Sequence, residues 1–196
     1  MALDFTFTPE QDAFRARVRE MVDKHIRPYS VKWDKDPAIP WSAVKAMADI
    51  GLMGHTYPRR VGGREGSWVD FAIALEEIGR RDQACGWIVL LSNAYPKVVK
   101  DDDLWRRVVA GEVLVALSET EPQAGGDAAG IRTRAVRDGD RYIINGRKIY
   151  ISLVPGAQYH LVTAFTNPEA GRRGISMFLV DADSPGVTIS PMDEIG

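Results

Sequence analysis

The sequence predicts an α+β chain: an N-terminal α-helical domain followed by an antiparallel, barrel-like β-domain that looks truncated. Three observations predict it. Apolar residues recur at helical spacing as far as Gly111 and at strand-like spacing after it. The dipeptides Asp138-Gly139 and Asn145-Gly146, strong hairpin signals, fall in the second half. Helices first and strands afterwards segregate into separate layers instead of alternating as βαβ units. The border is expected near residue 112, with 1–112 helical and 113–196 in the β-domain.

Thr8-Pro9-Glu10-Gln11 starts the first helix, with Thr8 at the N-cap, Pro9 at the first helical position and Gln11 completing a capping box. Phe14, Val18, Met21, Val22 and Ile26 form its apolar stripe, and Arg27-Pro28 ends it. A second helix starts near Trp41-Ser42, buries Val44, Met47 and Ala48, and stops at Gly51. Residues 57–63 form a loop. Ser67 caps a third helix whose stripe is Phe71, Leu75 and Ile78, with Glu76, Glu77, Arg80 and Arg81 facing elsewhere. The next helix, about 84–95, is apolar almost all round and is expected to be buried on every side. Asp101-Asp102-Asp103 opens a fifth helix, where the dipole favours carboxylates, and Gly111 closes it. The expected strands are Val113–Leu117, Ile131–Arg137, Tyr142–Ile144, Lys148–Ser152, Tyr159–Phe165, Ile175–Val180 and Val187–Ile189. So few strands would leave open sheet edges, so the chain reads as interrupted.

Bulk properties narrow the function. Net charge is −2, and no basic run of the kind that tracks phosphates is present, which argues against nucleic acid as a partner. The single cysteine, Cys85, lies in an apolar run and reads as a buried structural thiol; one cysteine cannot form an intramolecular disulfide. His25, His55 and His160 are scattered, giving no cysteine–histidine pair in sequence, and no metal site is expected. The N-terminus carries no secretory signal and no apolar run is long enough to span a bilayer, so the expected compartment is the cytoplasm.

Two stretches could carry chemistry. Thr120-Glu121-Pro122-Gln123-Ala124-Gly125-Gly126-Asp127 lies between strands, and its glycines permit turns that expose successive amide N–H groups as an anion nest. It is neither a Walker loop nor a dinucleotide fingerprint, since no Gly-Lys-Ser/Thr and no helix follow. A glycine-rich connection without a ligand is the competing reading. Lys148-Ile149-Tyr150-Ile151-Ser152 reads on its own as an amphipathic strand.

Together and in this order, the two stretches resemble the acyl-CoA dehydrogenase family. That family carries a Thr-Glu-Pro-x-Ala-Gly-Ser-Asp loop, an Asn-Gly-x-Lys hairpin and an aromatic-Ile-Thr/Ser strand; here stand Thr120-Glu121-Pro122, Ala124-Gly125, Asp127, Asn145-Gly146-Arg147-Lys148 and Tyr150-Ile151-Ser152. Gly51-Leu52-Met53-Gly54, Tyr57-Pro58, Val61-Gly62-Gly63 and Ala74-Leu75-Glu76-Glu77-Ile78-Gly79 extend the likeness through the helical half. The resemblance implies FAD as cofactor and an acyl-CoA thioester as substrate, oxidised between its α and β carbons. It implies that the backbone at Leu117 and Glu119 and the hydroxyl of Thr120 meet the flavin pyrimidine edge, that Gly125 and Gly126 sit at the pyrophosphate, and that Tyr150 shields the ring. Ile151 belongs to the same flavin-facing stretch, and Ser152 hydrogen-bonds near the reactive ring nitrogen. Gly126, where the family has serine, would also border the substrate. The resemblance further implies an electron-transfer flavoprotein or similar acceptor, and an oligomer for the full-length form.

The chain departs from the family at Gly126, at Glu119, where the usual residue is small or apolar, and in a shortened span between Cys85 and Val113. The resemblance implies that the catalytic glutamate lies in a C-terminal bundle expected to be absent from these 196 residues, and no residue here is assigned as catalytic. Three readings follow: the N-terminal portion of an FAD-dependent acyl-CoA dehydrogenase; a non-catalytic partner or remnant of one; and a flavin-dependent monooxygenase of the same architecture. The 196 residues alone are expected to bind FAD weakly or not at all.

Overall fold

The structure is a computed structural model that describes residues 6–36 and 38–192. The chain divides into two compact units, Met1–Val113 and Leu114–Gly196.

The first unit is helical. Helix α1 (Pro9–His25) carries the capping box: Gln11 N donates to Thr8 Oγ1 (3.2 Å) and Thr8 N to Gln11 Oε1 (3.0 Å). These bonds satisfy donors that the first turn would otherwise leave unpaired. Phe14, Val18, Met21, Val22 and Ile26 are all buried. A short helix not anticipated from the sequence, α2 (Ser30–Trp33), stacks Tyr29 on Trp33. It buries none of its residues, so it leaves no apolar periodicity to read. Helix α3 (Trp41–Asp49) buries Val44 and Met47 but leaves Ala48 half-buried, and Gly51 follows with φ +78°, a left-handed turn that glycine adopts without strain.

Helix α4 (Trp68–Gly79) is capped by Ser67, whose Oγ accepts from Asp70 N (3.0 Å). Its inward face differs from the expected stripe. Ile73 and Ala74 join Phe71 and Ile78, Leu75 is half-buried, and Glu77 is buried. Glu77 points toward α1, where Arg19 meets it with two bonds (2.8 and 2.9 Å) and Arg15 with a third (3.2 Å). Periodicity alone places charges outside; here three paired hydrogen bonds offset the desolvation of the carboxylate. Helix α5 (Gln83–Ala94) is not buried on every side: Gln83, Ala84, Trp87 and Ala94 form an exposed stripe, with Trp87 44% exposed. Its buried side includes Asn93, which donates to Leu52 O (2.9 Å) and accepts from Thr56 N (3.0 Å), tying the loop after α3 to α5. Helix α6 (Asp102–Val109) starts at Asp101, whose carboxylate accepts from Asp103 N and Leu104 N.

The second unit is a five-stranded open sheet: β1 (Val115–Ser118), β2 (Arg134–Asp138), β3 (Arg141–Asn145), β4 (Tyr159–Phe165) and β5 (Ile175–Asp181). It is mixed and not wholly antiparallel. Strand β5 lies antiparallel along the whole of one edge of β4. The other edge is shared end to end, with β1 parallel over Tyr159–Val162 and β2 parallel at Phe165. The connections between these neighbours are long, so no tight turn imposes an antiparallel direction. Among the described residues only β2 and β3 form a two-residue hairpin, with Asp138 opposite Arg141 and Gly139 at φ +62°.

Two expected strands are absent. Lys148–Ser152 is irregular, with Tyr150 at φ +56° and Leu153 at φ +70° just beyond it, conformations outside the strand region. Val187–Ile189 pairs with no strand. Asn145-Gly146 is not a hairpin turn: β3 ends there and the chain departs. Glycine is needed at 146 for packing, because a Cβ there would lie 2.1 Å from Thr133 Oγ1.

Candidate functional site

The site is built where β1 ends. Leu117, opposite Leu161 of β4, is half-buried, as are Glu119 and Thr120. The chain then doubles back: Glu121 N donates to Ala124 O (2.8 Å) and Ala124 N to Glu121 O (3.0 Å), with Pro122-Gln123 at the tip. Ala124 anchors this turn on Ile131 and Phe165, with Ile175 against the cluster. Gly125 and Gly126 follow on the surface. Neither has positive φ, and a Cβ added at either meets nothing within 4 Å. Among the described residues no protein acceptor takes their amides. Asp127 then accepts from Ala129 N (3.2 Å) and Arg172 Nη2 (3.5 Å).

The second stretch runs beside the first. Ile149 N donates to Thr120 O (2.9 Å), which sets Tyr150 close to Thr120 along the chain path. Tyr150 is 63% exposed, Ile151 half-buried and Ser152 exposed. The left-handed backbone at Tyr150, rare for a non-glycine residue, is a strained conformation of the kind found at binding sites. The fold therefore joins Thr120 to Ile149, the neighbour of Tyr150, through one backbone bond, and Glu119 to Lys148 through another hydrogen bond. It leaves Gly125 and Gly126 beyond the turn, on the same loop.

Sequence reading missed the groups that hold this loop. The Glu121 carboxylate is buried and accepts from Thr133 N (3.0 Å), Thr133 Oγ1 (2.5 Å), Arg132 N (2.6 Å), Gln123 Nε2 (2.6 Å) and Lys148 Nζ (2.9 Å). Burial pushes this carboxyl upward. The hydrogen bonds from Thr133, Arg132, Lys148 and Gln123 outweigh it and hold its pKa at about 2. A carboxylate so saturated with donors cannot take a substrate proton. The available signal was a pair of opposite charges, Glu121 and Lys148, one inside each motif. Below the loop, Ser118 Oγ and His160 Nδ1 lie 3.5 Å apart, and burial lowers the His160 pKa, favouring the neutral ring. Burial pushes the Cys85 thiol up, which removes it as a nucleophile at neutral pH. Among the described residues no helix is long and apolar enough to cross a membrane, and no group of three or more His, Cys, Asp or Glu is placed to hold a metal.

Comparison with known proteins gives a consistent result. The family model for the acyl-CoA dehydrogenase N-terminal domain matches residues 8–99, and that for the acyl-CoA dehydrogenase middle domain matches residues 116–196. A probable acyl-CoA dehydrogenase, YngJ of Bacillus subtilis (strain 168), is 34% identical, over 99% of this chain and 54% of its own length. Glutaryl-coenzyme A dehydrogenase in its glutaryl-CoA complex superposes with a TM-score of 0.88 at 29% identity, over 98% of this chain and 52% of that one. A glutaryl-CoA dehydrogenase from Mycobacterium smegmatis in complex with FADH2 gives 0.82 at 26% identity, over 92% and 47%. The chain thus spans about half the length of the relatives it matches.

Proposed function

The chain belongs to the acyl-CoA dehydrogenase family, and we propose that it supplies the N-terminal and middle domains of an FAD-dependent enzyme oxidising acyl-CoA thioesters between the α and β carbons. The observation that carries this reading is the Ile149 N to Thr120 O bond, which joins the two motif stretches into one surface. When bound, FAD supplies the acceptor for the hydride leaving the β carbon.

The chain's own part is binding and orientation. Leu117 and Glu119, through backbone groups, and Thr120, through its hydroxyl, hold the pyrimidine edge of the flavin. Tyr150 and Ile151 cover the ring, and Ser152 donates a hydrogen bond to it. Gly125 and Gly126 offer two amide donors to the pyrophosphate, and Gly126 also borders the substrate. The residues present fit this group: neither φ nor internal crowding demands glycine at 125, which is consistent with close backbone approach to an external group there. The FADH2 bound by the Mycobacterium smegmatis relative and the glutaryl-CoA bound by its homologue support the same assignment. The reading extends to a place in fatty-acid metabolism in the cytoplasm, an electron-transfer flavoprotein or similar acceptor, and an oligomeric full-length form.

Gly125→Val tests it. An added Cβ meets nothing within 4 Å in this chain, so little loss of stability is expected, while an amide donor facing pyrophosphate would be hindered. Because the two motif stretches are already joined within this chain, weak binding is predicted rather than none: flavin fluorescence titration should give a Kd of about 10 μM to 1 mM, weakened about tenfold or more in Gly125→Val. Equal affinity in the two proteins, or no binding at millimolar FAD, would sink the assignment.

A further inference from the structure

Lys148 and Glu121 occupy none of the ligand positions above, yet they form a buried charged pair. Their side chains are 10% and 3% exposed, with Nζ 2.9 Å from Oε1. Lys148 Nζ has two further acceptors, Glu119 O (2.9 Å) and Thr163 Oγ1 (3.1 Å). The next residue, Ile149, donates to Thr120 O (2.9 Å). Two consecutive carbonyls, those of Glu119 and Thr120, are therefore both taken by the Lys148-Ile149 segment. In a trans peptide the N–H points opposite to the C=O, and no described peptide is cis. The Glu119–Thr120 peptide thus turns its N–H, that of Thr120, away from Lys148, and among the described residues no protein acceptor takes it. An ammonium on the carbonyl also polarises the peptide and strengthens its N–H as a donor.

We infer that Lys148, held by Glu121 and Thr163, is a positioning residue that fixes the Glu119–Thr120 peptide so that the Thr120 N–H is presented outward as a donor to the bound cofactor. This rests on the flavin reading above. A buried ion pair adds little net stability against an apolar replacement and is retained where it specifies one arrangement. Here the arrangement specified is the direction of one peptide group. Glu121 is itself immobilised by Thr133, Arg132 and Gln123, so the ammonium is pinned at one point between β4 and the loop.

The test compares wild type, Lys148→Met and Thr163→Val in the 196-residue chain, each 15N-labelled and titrated with FAD. In Lys148→Met, ligand-free exchange of the Ile149 amide should accelerate about tenfold or more, and FAD affinity should fall about tenfold. The FAD-induced shift at the Thr120 amide should vanish while those at Gly125 and Gly126 persist. Thr163→Val, which removes one of three acceptors, should give the same pattern at about threefold. A merely structural role would weaken every FAD-induced shift in proportion to lost stability, and that result overturns the inference, as does a retained Thr120 shift in Lys148→Met. If Lys148→Met does not fold, Thr163→Val decides by the same criteria. A wild type without FAD-induced shifts defeats the flavin reading itself and the cofactor-facing role with it. Wild-type shifts together with unchanged Ile149 exchange in the variants defeat the positioning role alone.

Discussion

Gly146→Ala is expected to damage the β-unit far more than an exposed Asn-Gly turn would suggest. A Cβ at position 146 would sit 2.1 Å from Thr133 Oγ1, 2.6 Å from its Cβ and 2.7 Å from its Cγ2. Thr133 is 1% exposed, and its hydroxyl and amide both donate to Glu121, so it has no free direction in which to retreat. Overpacking of this kind costs about 1–3 kcal/mol. Displacing the hydroxyl from a carboxylate adds the loss of one charged hydrogen bond, about 1.5–3 kcal/mol. The expected destabilisation is therefore about 2.5–6 kcal/mol, a large share of the stability of an ordinary domain. All five tryptophans lie in Met1–Val113, so their fluorescence reports the helical unit. The assay is residue-resolved amide exchange in β4 and β5. The double variant with Thr133→Ala should cost less than the sum of the two singles, because both lose the same bond. A loss under about 1 kcal/mol, or strict additivity with Thr133→Ala, would refute the reasoning.

Other predictions concern both units. Glu77→Gln removes the carboxylate that Arg15 and Arg19 share; since Arg19 can return to water and Arg15 is largely enclosed, the expected cost is about 2–4 kcal/mol, read as a lowered urea midpoint in tryptophan fluorescence. Tyr57→Phe leaves the buried Ser92 carbonyl without its 2.8 Å donor and should cost about 1–2 kcal/mol in the same assay. Acid should also destabilise the chain. The Glu121 carboxyl is held at about 2 and that of Glu77 is lowered by its bonds to Arg19, both from an ordinary 4.5. A folded-state pKa below the unfolded one gives stability that is fully present above the unfolded pKa and is lost as pH falls through the folded one. Stability should therefore decline below about pH 4.5 toward pH 2, and Glu121→Gln should flatten that decline in the β-unit; an unchanged slope would contradict the Glu121 assignment.

Much of the helical unit was legible because its signals are local. Thr8, Ser67 and Asp101 each cap the helix they precede through one short side-chain bond, and such bonds depend on spacing within a single turn. Glu77 was misplaced because its partners, Arg15 and Arg19, lie about sixty positions away in sequence. Helix α5 was misjudged because an apolar composition cannot show that Trp87 faces outward. In the β-unit, β4 and β5 were legible from their alternation and composition. The parallel pairing of β1 with β4 was not, since strand direction across a long connection leaves no mark on either strand. The Lys148–Ser152 stretch reads as a strand by residue type, but Lys148 is drawn to Glu121 and Tyr150 takes φ +56°. The same is true of the site: its motif residues were named from the sequence, while the groups that hold them, Glu121, Thr133 and Thr163, became visible only when the loop was seen closed on Lys148.

The central claim is that Leu117–Asp127 and Tyr150–Ser152 form one flavin-binding surface. The measurement that tests it most directly is a residue-resolved map of amide chemical shifts in the 196-residue chain as FAD is raised to about 1 mM, a range that reveals weak binding. The account predicts saturable shifts at Thr120, Gly125, Gly126, Tyr150 and Ser152 that follow a single binding curve. Shifts centred elsewhere, or two stretches that titrate with different affinities, would contradict it.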